Sequence, residues 1–192
     1  MSAFGMNKEE FHQWFEDFMY PTLPYRSIKK DYNISKNVNI EICSQCGGQC
    51  CKQCGCHFSP DDFEEISFEF LKKEIEKGYI SIDYVDGEMI YQSIGVYILR
   101  ARNKDAPVVD TGLRRSACIL LTEEGCKLDY EHRPTGGKLL IPSNEFSGFL
   151  EKTRKCDSSY SIKDCCYEWK PHQKILHDLV EYFKNKKIQC SL

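Results

Sequence analysis

No stretch of this chain approaches the ~18–20 apolar residues of a membrane-spanning helix. Its start, MSAFGMNKEEF, lacks the apolar run and cleavage site of a signal peptide. Both absences point to a cytoplasmic protein with no membrane partner. An excess of one charge sign is lacking too: 26 Lys and Arg stand against 29 Asp and Glu, a net charge of −3, with the signs interspersed. No broad cationic face is expected, which argues against a nucleic-acid partner. No internal repeat, low-complexity tract or long linker divides the 192 residues. A single domain over residues 1–192 is expected, large enough to bury roughly 70% of its unfolded surface and to fold without a metal's help.

Cysteine is what the chain has in excess, with twelve in all. Glutathione keeps cytosolic thiols reduced, so these are read as ligands or buried side chains before disulfides. Six fall within fourteen residues, Cys43, Cys46, Cys50, Cys51, Cys54 and Cys56, in the run CSQCGGQCCKQCGC. A C-x2-C step lets two thiolates from one tight turn converge on an ion, and Gly47, Gly48 and Gly55 supply the backbone freedom that wrapping needs. Vicinal Cys50 and Cys51 would make a strained disulfide, which again favours coordination. Cys165, Cys166 and Cys190 stand apart and are equally well explained as small buried side chains.

Around this loop the pattern predicts helices at both ends and strands between them, an α+β fold with a small antiparallel sheet or hairpins carrying the cysteine-rich loop. Asn7 caps a helix over about 7–20, with Phe11, Trp14, Phe15 and Phe18 on one face and Pro21 beyond it. Residues 31–42 read as a short strand delivering Cys43. Ser59, Pro60 and two acidic residues predict a helix start, with Phe58 stapled to Phe63, running to about Lys77 and stopped by Gly78. YISIDYVDGEMIYQ alternates about Asp86-Gly87, a type I′ hairpin signature. SIGVYILRAR and residues 116–121 read as further strands, and a closing helix over about 169–188 buries Ile175, Leu176, Leu179, Val180 and Phe183.

Cys118 and Cys126 flank Glu124-Gly125, a second hairpin signal that would bring both cysteines to neighbouring strands. With Cys156 they raise the candidate thiols to nine, more than the four one tetrahedral zinc accepts, so two metals, a cluster or spectator thiols follow. The spacing Cys43-x2-Cys46-x3-Cys50-Cys51, followed by Cys118-x7-Cys126-x5-His132-Arg133-Pro134, resembles the YkgJ-type cysteine-cluster family of zinc- or iron-chelating domains over roughly residues 40–142. The resemblance implies a metal-binding protein with zinc or iron, an iron–sulfur cluster included. Many relatives carry a further cysteine shortly after Arg-Pro; here Thr135-Gly136-Gly137 stands in its place, and Cys156 is the proposed substitute. Flagellin lysine N-methylases share the signature, which implies the alternative of a metal-dependent enzyme modifying a protein side chain. A zinc-ribbon-like module with a protein partner is the third reading.

Other motifs weigh less. A radical-type cluster would need cysteine where Gln53 stands, and a ferredoxin run would need a Cys-Pro that the chain lacks. His57 beside Cys56 could serve as the base of a nucleophilic thiol, yet a thiol crowded by others is better read as a ligand. His132 is read as a surface or sheet residue, and Arg133-Pro134 as the end of the cysteine strand. Arg100 and Arg102 would face the same way on a strand, as a solvated face or a shared anion site. The Arg114-Arg115 pair is weighed in the same way, and Lys184, Lys186 and Lys187 offset a helix dipole.

Overall fold

The computed structural model describes residues 49–90, 94–112, 116–123, 125–142, 156–158 and 160–189. The helix expected over 7–20, the strand over 31–42, Cys43, Cys46, Arg114, Arg115, Glu124 and Cys190 lie outside these residues, as do the side chains of Cys50 and Cys156. The fold is α+β, as the pattern predicts.

Its centre is a three-stranded sheet in the order β2-β1-β3. Strand β1 (Ile80–Val85) pairs antiparallel with β2 (Val96–Ala101), Ile80 opposite Ala101 and Val85 opposite Val96. Strand β3 (Val109–Asp110) joins the other side of β1 in parallel, with Asp83 opposite Asp110. Almost every residue of β1 and β2 is buried, so their β-branched run reads as continuous rather than alternating. The hairpin signal at Asp86-Gly87 marks the right place but the wrong turn. Asp86 Oδ1 accepts from the Glu88 amide at 2.9 Å and opens a 3-10 turn over Gly87–Ile90, and the partner strand is SIGVYILRAR rather than the residues immediately after the turn.

Between the cysteine run and the sheet, the single helix expected from Ser59 to Lys77 divides in two. Ser59 caps a 3-10 turn (Pro60–Asp62) through a capping box, but Phe63 is extended and packs its ring 5.4 Å from Phe58 and 6.0 Å from Trp169. The helix proper, α2 (Phe68–Glu76), restarts under a second cap, where Ser67 accepts from the Phe70 amide at 3.3 Å. Gly78, at φ +90°, stops it as expected. Before the turn lies a one-turn helix, α1 (Gln49–Gln53), where a loop was expected.

At the other end the closing helix is also divided. Ser161 opens α4 (Ile162–Trp169) with a capping box, Pro171 sits in a 3-10 turn (Lys170–His172), and α5 (Gln173–Gln189) continues. Helices α2, α4 and α5 pack on the sheet, and Leu71, Ile75, Ile82, Leu99, Trp169 and Leu179 lie at the centre of the core. Each such side chain contributes about 1.5–3 kcal/mol by burial. Cys165 and Cys166 belong to this core. His177 stacks edge-on against Tyr97 and His172 against Trp169, so both are packing residues. No helix among the described residues is long and apolar enough to cross a membrane.

Candidate metal centre

Strand β2 leaves one edge unpaired by other strands, and the chain closes it with polar substitutes. At Tyr97 the Gln173 side chain acts as a short strand, accepting from the Tyr97 amide and donating to its carbonyl, each at 2.8 Å. Further along, residues 56–58 lie antiparallel to Leu99–Ala101. The Phe58 amide donates to Leu99 O at 2.9 Å, the Ala101 amide to Cys56 O at 2.9 Å, and His57 pairs with Arg100. The second half of the cysteine run is thus built onto the sheet.

The downstream cysteine segment pairs with the continuation of the same strand. Beyond β2, Asn103 pairs with Cys118, while Ile119 N donates to Arg102 O at 2.9 Å and Lys104 N to Ala117 O at 2.8 Å. The Cys118 amide then donates to Cys51 O at 2.7 Å, a backbone bond between residues 67 apart in sequence. Strands β4 (Leu121–Thr122) and β5 (Gly125–Cys126) form the expected hairpin, with Gly125 at φ +118° and Cys126 opposite Leu121. Cys118 itself precedes β4 in a turn, so Asn103 rather than a neighbouring strand of the hairpin is its pairing partner.

Cys118 is buried, and Cys51, Cys54, Cys56 and Cys126 are half-buried. Burial pushes the Cys118 thiol up to about 11, opposed by a hydrogen bond from the Leu120 amide, and the negative potential of Cys56, Cys126 and Cys54 adds smaller pushes upward. Thiols of both segments therefore share one electrostatic neighbourhood. Thiolates ionised together repel one another, and a bound soft cation would relieve both that repulsion and the cost of burial. This donor set fits zinc or iron in chemistry. Among the described residues, no three His, Cys, Asp or Glu side chains converge in a metal-holding arrangement. Of the nine candidates, the thiols of Cys43, Cys46, Cys50 and Cys156 fall outside what is described.

Two glycine-rich approaches shape the site. A Cβ on Gly55 would lie 1.7 Å from Ala101 O, so only glycine lets the cysteine run pass this close to the sheet. Thr135-Gly136-Gly137 opens the short helix α3 (Thr135–Lys138) instead of supplying a ligand. Thr135 donates from its amide and its hydroxyl to Asp62, at 2.8 and 2.9 Å, and the Gly136 amide donates to His57 O at 3.0 Å. A Cβ on Gly137 would come 3.6 Å from Cys56 Sγ. Pro134 is the cap of this helix rather than the end of a strand, and Arg133 donates to Leu128 O at 3.3 Å.

His57 is held neutral well into the acid range. Burial lowers its pKa to about 4, and the nearby Arg100 charge adds to the effect. Such an imidazole is too weak a base to hold a thiol proton, which argues against a Cys56–His57 nucleophile. His132 is exposed, its ring 2.7 Å from Asp129, as a surface reading expects.

Sequence reasoning missed a buried ion network beside the site. Arg100 lies 2.5 Å from Asp83 and 3.8 Å from Asp110, all three almost wholly inaccessible, where a solvated arginine face was the expectation. Burial pushes Asp83 up to about 6, with Asp110 adding to the rise and Arg100 and the Ser81 hydroxyl opposing it. The signal available was a charged residue within an otherwise apolar β run, ISIDYV, matched by an arginine in VYILRA. Behind the run, Phe58 O accepts from Trp169 Nε1 at 2.8 Å and Cys165 Sγ at 3.4 Å, and Glu168 accepts from the Ser59 and Tyr160 hydroxyls, each at 2.7 Å.

Comparison with known proteins finds no family model, no curated protein and no solved structure that matches the chain.

Proposed function

We propose that this chain is a cytosolic metal-binding protein that holds zinc or iron, an iron–sulfur cluster included, through thiolates from two remote segments. One segment is the run holding Cys43, Cys46, Cys50, Cys51, Cys54 and Cys56; the other supplies Cys118 and Cys126, with Cys156 as a further candidate. The observation that carries the reading is the 2.7 Å hydrogen bond from the Cys118 amide to the Cys51 carbonyl, which ties the backbones of the two segments together. The resemblance of Cys43-x2-Cys46-x3-Cys50-Cys51 and Cys118-x7-Cys126 to the YkgJ-type family supports the same function.

Chemistry agrees with this choice. Thiolates select zinc and iron–sulfur centres over hard cations, and coordination replaces the protons that burial otherwise holds on groups such as Cys118. The test is purification without oxygen or chelator, followed by a visible spectrum. A colourless protein with stoichiometric zinc supports a closed thiolate site, and a brown one an iron centre. Cys46→Ser is expected to lower the metal bound per chain, and metal content unchanged by that substitution would count against the assignment.

A further inference from the structure

The strongest unassigned feature near the thiols is a fully buried asparagine that touches both cysteine segments. Asn103 Oδ1 accepts from the Gly55 amide at 2.7 Å, inside the Cys54-Gly55-Cys56 step, while the Asn103 backbone pairs with Cys118. Gly55 approaches the sheet so closely that no side chain fits, so its amide direction is set by the acceptor it meets.

We propose that Asn103 is a positioning residue for the metal centre, fixing the Cys54 and Cys56 thiols relative to Cys118 through the Gly55 amide. The inference rests on the metal-binding reading above. A buried amide needs an acceptor. Without one, the Cys54–Cys56 step is free to turn its amide elsewhere and carry both thiols with it. Supporting groups that orient ligands without touching the ion have a characteristic cost when removed, about 10–100-fold in metal affinity.

The test uses the full chain, Co²⁺ as probe and two near-isosteric substitutions. Asn103→Leu keeps the shape and removes the acceptor; Asn103→Asp keeps the acceptor. Folding is checked by circular dichroism, affinity by competition with a chelator, and thiolate ligation by the sulfur-to-cobalt charge-transfer band. Asn103→Leu is expected to fold, bind Co²⁺ about 10–100-fold more weakly and lose charge-transfer intensity, with Asn103→Asp recovering most of both. Should Asn103→Leu fail to fold, Asn103→Ala carries the same comparison. Unchanged affinity and band in the acceptor-less variant overturn the proposal, and so does an equal loss in both variants, which would mark a packing role.

A wild-type chain that binds no Co²⁺ overturns the metal reading instead. Positioning is then read without metal, by bridging Cys54 or Cys56 to Cys118 with a short bifunctional thiol reagent and mapping the linked peptides. Bridging in the wild type that is lost in Asn103→Leu upholds the role of Asn103, and equal bridging removes it.

Discussion

At Gly55 and Gly137 one residue type meets two opposite environments, and the difference is measurable. Gly55→Ala drives a methyl into Ala101 O, a contact that only backbone movement relieves. It is expected to cost at least ~2 kcal/mol in denaturant unfolding. Gly137→Ala finds ordinary van der Waals distances within a helix, where alanine is favoured by up to about 1 kcal/mol, and is expected to be neutral or stabilising. Equal losses at both positions would contradict the close approach of the cysteine run to the sheet.

Asp83 gives the second residue-scale prediction. Its folded pKa of about 6 lies above the unfolded value of 3.8, so the folded state holds that proton more tightly. Stability from this group is complete below about pH 4 and is lost as pH rises through about 6. Measured against Asp83→Asn, the wild type is expected to lose on the order of 3 kcal/mol across that window. A difference independent of pH would show that Asp83 ionises normally beside Arg100.

For the elements, the informative comparison is between two serine caps. Ser67 caps α2 at a half-buried site, and Ser67→Ala is expected to cost about 1 kcal/mol. Ser59 caps its 3-10 turn and also donates to buried Glu168, so Ser59→Ala is expected to cost more, roughly 2–3 kcal/mol, because it also removes a buried hydrogen bond to a carboxyl group. Thermal or urea unfolding of the two variants checks the order.

The elements also show how far sequence reasoning reaches. Caps, the glycine stop at Gly78, the Phe58–Phe63 contact and the apolar face of α5 were legible because each depends on neighbours within a few residues. The break after Asp62 was not, because it depends on Trp169 receiving Phe63 from a distant helix. The same holds for the turn at Asp86-Gly87, where the side chain of Asp86 selects a 3-10 turn over the two-residue hairpin. At the site, spacing divided the cysteines into two segments, and the backbone bond between Cys118 and Cys51 joins those segments. It could not show that Asn103 bonds to Gly55 or that Arg100 pairs with Asp83, since no local period marks a pairing across so many residues.

At the scale of the molecule, the fold brings two distant stretches of chain onto β2 and its continuation, and Gln173 bonds to the same strand at Tyr97. Backbone bonds do this for residues 51–58 and 118, and the metal we propose would add a sulfur-mediated link to the same junction. A chelator is therefore expected to lower the thermal midpoint of the metal-loaded protein without abolishing the fold, because the core of Leu71, Ile82, Leu99 and Trp169 lies outside the site. Complete unfolding on chelation would mean that the core cannot stand alone.

The most direct test of the shared site is elemental analysis of the protein purified without oxygen, comparing wild type with Cys46→Ser and Cys118→Ser. Zinc or iron is expected near stoichiometry in the wild type, with a loss of metal in both variants, since each removes a thiolate from one of the two segments. A wild type without metal, or a Cys118→Ser variant that keeps its full content, would contradict it.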